Sequence, residues 1–155
     1  MSQPYTMAVF DALMIRALII NDRQKFPDEM RAFDTAFQGR RIRMLITRGI
    51  LDEYQIEPNK FPPFRQELQP TIDRLNRLGR VIYFDEYDLS RSSNPSNIQL
   101  IGLPQEHRSS IYDAVAAQAS YFITTRQSWL DLSEQTGSRY GLQIVTPGTF
   151  AELEG

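Results

Sequence analysis

The chain has no cysteine and a single histidine, His107, in 155 residues. Without cysteine there are no disulfides, no thiolate metal sites and no cysteine nucleophile. One histidine excludes a multi-histidine zinc centre. Lysine is nearly as scarce: of 17 basic side chains only Lys25 and Lys60 are lysine, which leaves 15 arginines. Arginine suits bidentate phosphate contacts and equally suits surface ion pairs; a bias of the encoding genome is the plainer explanation. No apolar run approaches the ~20 residues of a membrane span. The start "MSQPYT" has no basic region followed by an apolar core, so no secretory signal is expected and the expected location is cytoplasmic. Net charge is −2, so no global basic field recruits nucleic acid.

What is there is ordinary globular composition, 41% hydrophobic and 23% charged. The length suits one domain with a real core, so a single domain over 1–155 is expected. "TMAVFD" (Thr6 to Asp11) reads as a continuously apolar strand of the kind covered on both faces. "ALMIRALII" follows as helix. "DEMRAFDTAF" (Asp28 to Phe37) is a second helix, started by Pro27 and Asp28 and stopped by Gly39. "RIRMLIT" is a strand, and "RGILDEYQI" a short helix ending before Pro58. "FRQELQPTIDRLNRLG" returns to helix, bent or interrupted near Pro70, and "RVIYFDEY" is a third strand. The segment "SRSSNPSN", Ser90 to Asn97, is polar and turn-rich and reads as an exposed, mobile loop. "PQEHRSSIYDAVAAQAS" is a helix with Pro104 in its first turn, "YFITT" a strand, "QSWLDLSEQTG" helical, "LQIVT" a fifth strand, and a last helix starts at Pro147. Strands alternate with helices throughout, which predicts a three-layer α/β/α domain with a mostly parallel sheet.

The order of these pieces resembles the PIN domain, a family of small nuclease-like α/β domains. "AVFDALMIRALI" is similar to its opening strand and helix, with an aspartate closing the strand. "RIRMLITRGILDEY" resembles its second strand and a helix carrying a glutamate, here Glu53. "ASYFITTRQSWLDL" resembles a strand ending in threonine, and "LQIVTPGTFAEL" the closing strand, Thr-Pro turn and small helix. The resemblance implies strand order 3-2-1-4-5 and carboxylates gathered at the strands' carboxyl ends. It implies Mg²⁺ or Mn²⁺ held there for phosphodiester hydrolysis, usually of RNA, often in toxin–antitoxin pairs. The ligands it implies are Asp11 and Glu53, with a further acidic or polar position at Glu106 or His107; Asp113, set among alanines on the same helix, is preferred here as the third ligand. An RNA substrate, an antitoxin-like protein partner and a homodimer are the partners expected from it.

The chain departs from the family pattern. Asp11-Ala12-Leu13 replaces the polar run that usually follows the first aspartate, and Arg126 stands where a further acid or Asn is usual. Glu106 and Asp113 are seven residues apart, two helical turns, so both lie on one helix face. Asp113 either turns toward Asp11 or meets solvent or a nearby arginine. Three carboxylates with Arg126 leave a net charge of −2, enough for one divalent cation at most. At ~4 Å an arginine–carboxylate contact is worth about 4 kcal/mol at an effective dielectric of 20, so Arg126 competes with a metal for Asp11. Two readings follow: a metal-dependent ribonuclease, or a catalytically degenerate PIN-like module with no ion, acting on or binding RNA or another partner. Asp11 also fits a plain helix cap, and Trp129 and Leu130 fit the core. A receiver-like domain would need a lysine near the last strand, and the last lysine is Lys60.

Overall fold

Continuously apolar runs become buried parallel strands here, and turn residues set where each one stops. The computed structural model describes residues 5–39, 41–56, 62–84 and 108–155. Its elements run β1 (Thr6–Phe10), α1 (Ala12–Ile20), α2 (Pro27–Gln38), β2 (Ile42–Thr47), α3 (Arg48–Ile56), α4 (Pro62–Arg77), β3 (Val81–Phe84), α5 (Arg108–Ala116), β4 (Tyr121–Ile123), α6 (Gln127–Leu130), α7 (Ser133–Tyr140), β5 (Gln143–Val145) and α8 (Pro147–Glu154). Ser90 to Asn97, Pro104, Glu106 and His107 lie outside the described residues.

The five strands form one all-parallel sheet in the order β3-β2-β1-β4-β5, with helices around it, as the sequence led us to expect. β1 is central and its Ala8, Val9 and Phe10 are wholly buried. Phe10 stacks on Phe33 of α2 at 4.9 Å and meets Phe150 of α8 edge-on at 6.1 Å. Such ring pairs add about 0.5–1.5 kcal/mol each beyond their buried area. The chain leaves β1 toward β2 on one side and finds β4 on the other. The carboxyl ends of β1 and β4 therefore flank the switch in strand order, where open α/β sheets form their crevice.

Two helices differ from expectation. α4 runs through Pro70 without a break. Pro70 has no N–H for the Gln66 carbonyl, but both residues are exposed, so water can satisfy that oxygen. The "QSWLDLSEQTG" stretch is two helices, α6 and α7, parted at Asp131 and Leu132. The break turns Leu132 into the core and lets the Ser133 hydroxyl accept from the Ile144 N–H of β5 at 3.1 Å.

Candidate functional site

Asp11 is the first residue past β1, and its N–H donates to the Ile123 carbonyl at 3.1 Å. Phe10 is in register with Ile123, so Asp11 and Thr124 come side by side at the carboxyl edge of the sheet. Asp11 Oδ1 accepts from the Met14 N–H at 3.0 Å, capping α1. Its Oδ2 accepts from the Thr124 hydroxyl at 2.5 Å. The helix-cap reading of Asp11 is therefore correct, and it coexists with a second role at the strand edge.

α3 supplies the second acid. Ile50, Glu53 and Tyr54 follow the i, i+3, i+4 spacing of one helix face and are all buried, whereas Asp52 is exposed. That resolves which acid of "LDEY" turns inward. The Tyr54 hydroxyl donates to the Phe10 carbonyl at 2.6 Å, pinning α3 against the end of β1.

Arg126 closes the group. Its Nε lies 4.0 Å from Asp11 Oδ2 and its Nη1 3.7 Å from Glu53 Oε2. The side chain is 18% exposed, against 0% and 3% for the two acids. The guanidinium sits over the Trp129 ring, 4.8 Å from its centroid. Trp129 is itself core, packed edge-on against Phe122 at 5.1 Å. The Arg126 N–H donates to Thr124 Oγ1 at 3.1 Å, so one threonine ties the backbone of the arginine to the carboxylate of the aspartate.

Burial raises the pKa of Asp11 above its ordinary value. The Thr124 and Met14 hydrogen bonds and the Arg126 charge pull it down without cancelling burial, and Glu53 pushes it up further. Tyr54 is pushed well above the usual tyrosine range by burial and by the nearby Asp11.

Asp113 has a partner the sequence did not foreshadow. Its Oδ2 accepts from the Gly49 N–H at 2.7 Å, in the first turn of α3. Thr47 Oγ1 accepts from the Ile50 N–H at 3.1 Å in the same turn. A carboxylate is favoured there by the exposed N–H groups and the positive end of the helix. Asp113 thus braces the helix that carries Glu53. Glu106 and His107 fall outside the described residues.

Among the described residues, no three Asp, Glu or His side chains are grouped to hold a metal ion. Among the described residues, the donor set at the sheet edge fits a divalent cation poorly. Both Asp11 oxygens already accept hydrogen bonds, and Arg126 lies beside both acids. Two carboxylates and one guanidinium leave a net −1, whereas a hard dication wants more negative charge and room for water.

Sequence reasoning missed Thr124 and Tyr54 as members of the site. Tyr54 could have been found from its i+4 spacing to Ile50, and Thr124 from its place in register with Asp11. Fold and site together define a class: a five-stranded parallel α/β domain with an acidic pair and an arginine at its topological switch point. No family model and no curated protein matches the chain. Among the described residues no helix is long and apolar enough to cross a membrane.

Proposed function

We propose that this chain is a PIN-like domain in which Arg126 takes the place of the divalent cation, and that it serves as a binding or interaction module. The observation that carries this reading is the guanidinium of Arg126 within 4.0 Å of Asp11 and 3.7 Å of Glu53. A built-in cation neutralises part of the acidic charge in every state of the protein. It also fills the space in which a metal would activate water and polarise a phosphoryl oxygen. On this reading RNA, or an antitoxin-like protein, is bound and not cut, and no resident Mg²⁺ or Mn²⁺ is required.

The test is the melting temperature of wild type and of Arg126→Asp with and without Mn²⁺, alongside cleavage of single-stranded RNA. Wild type should not respond to Mn²⁺ and should leave RNA intact. Arg126→Asp should be less stable without metal and should gain from Mn²⁺, by about 2.7 kcal/mol at 100 times Kd. A wild type that Mn²⁺ stabilises and that cuts RNA, with both effects lost in Asp11→Asn, would make the chain a metal-dependent ribonuclease instead.

A further inference from the structure

Arginines gather at the β2–β3 side of the sheet end opposite Asp11. Arg43, Arg77, Leu78, Gly79 and Arg80 line an open cleft of about 340 Å³ there. That volume lies within the ~300–1,000 Å³ of small-ligand sites. Among the described residues the lining contains three arginines and no carboxylate. We propose that this cleft is a phosphate-binding site that takes a pyrophosphate group, free or as part of a nucleotide.

The fold builds the cleft from three places. Met44 pairs with Val81, so Arg43 and Arg80, one residue before each, stand next to each other at the amino ends of β2 and β3. Arg77 is in the last turn of α4, and the chain turns back at Gly79, whose φ of 71° suits glycine. A backbone carbonyl helps to orient each of the Arg43 and Arg80 guanidiniums. Arg80 Nη1 donates to the Gly39 carbonyl, and Arg43 Nη1 to the Ile42 carbonyl at 3.1 Å, with Arg43 also over the Tyr5 ring at 5.7 Å. A guanidinium has five N–H donors, so a bond to one backbone carbonyl uses only part of its capacity.

The helix C-terminus explains a cation at Arg77. It does not explain Arg43, which stands on β2, or Arg80, which immediately precedes β3. Three like charges converging on one opening favour a ligand with several negative charges and planar, forked acceptors. Pyrophosphate supplies both; a single carboxylate supplies neither in full. The two arginines of the sheet edge are separated from Asp11 by the length of a strand, so this site neither uses nor depends on Arg126.

Isothermal titration of the full chain with sodium pyrophosphate, at ionic strength balanced with sodium chloride, tests the proposal. Saturable binding is expected. Arg77→Glu should weaken it at least roughly tenfold, whereas Arg31→Glu, at an exposed arginine of α2, should leave it unchanged. Arg77 is exposed at a helix end, and circular dichroism checks that the variant folds. Arg80→Gln should weaken binding as well. A parallel titration with ADP distinguishes the source: equal affinity assigns the phosphates alone, and tighter ADP binding assigns a nucleotide. No saturable binding of either ligand, or equal weakening by Arg31→Glu and Arg77→Glu, would overturn the proposal.

Discussion

Arg23 and Arg126 both face an aspartate, under opposite conditions. Arg23 makes two hydrogen bonds to Asp34, at 2.7 and 3.0 Å, with the two side chains 63% and 47% exposed. Arg126 stands farther from its acids, at 4.0 and 3.7 Å, but those acids are sealed from solvent. The closer pair has the better geometry and the smaller consequence. Water would solvate Arg23 and Asp34 nearly as well apart as together. Asp11 and Glu53 have no such alternative, so a looser cation matters more to them. Distance alone therefore does not rank ion pairs; burial decides what each charge loses when its partner is removed.

The largest effect that could break this contrast comes from Arg126→Ala. It leaves two buried carboxylates facing each other, and removing one partner of a buried pair costs ~3–5 kcal/mol. The partial exposure of Arg126 places the expected loss near the low end, about 3 kcal/mol, a fall in melting temperature of roughly 6–12 °C. A loss too small to measure would mean that Asp11 and Glu53 do not rely on Arg126.

Next in size are opposite pH slopes. The native state holds the Asp11 proton more tightly than the unfolded chain, chiefly because of burial. Its contribution is full below the ordinary value of 3.8 and is lost as pH rises through the raised value. Asp34 is the reverse: the hydrogen bond from Arg23 lowers its pKa, so its contribution is present above 3.8 and is lost as pH falls through the lowered value. Asp11→Asn should flatten the loss of stability on the rising side, and Asp34→Asn the loss on the acid side only slightly, because its pair with Arg23 is exposed. Denaturation curves between pH 2 and 7, on the order of the carboxylate range, would show it. Slopes of the same sign for both sites would contradict the assignment.

A smaller effect is expected at Tyr54→Phe. It removes the donor to the Phe10 carbonyl and should cost about 1 kcal/mol in urea denaturation. No loss would show that α3 is held against β1 by packing alone. The smallest effect belongs to Arg23→Ala, whose melting temperature should match wild type at ~0.15 M ionic strength, where exposed charges are screened. A clear loss there would erase the distinction between the two arginines.

The strands were legible because each is a short apolar run closed by turn residues and separated from the next by helix; their order was what the resemblance to the PIN domain implied. The meeting of Asp11 and Arg126 followed from that implied order, which makes the strands they follow neighbours. The bond from the Gly49 N–H to Asp113 was not legible, because no side-chain pattern marks a backbone donor 64 residues away. The sequence left a bend or an interruption open at Pro70; that α4 is not interrupted depends on exposure, which satisfies the freed carbonyl and is a property of the fold and not of the local sequence. The division of α6 from α7 depends on Ser133 reaching β5, a contact that exists only once the sheet is assembled.

The central claim is that Arg126 is retained as the cation of a buried acidic pair. It is tested most directly by removing all three charges together. Arg126→Met alone should lose about 3 kcal/mol, because the acids stay behind. Arg126→Met combined with Asp11→Asn and Glu53→Gln should recover most of that loss, since a buried ion group replaced whole by neutral side chains is often near neutral in stability. Recovery in equilibrium unfolding is the result expected here. Losses that simply add across the three substitutions would contradict it, because then each residue acts by its own packing and the charges are not coupled.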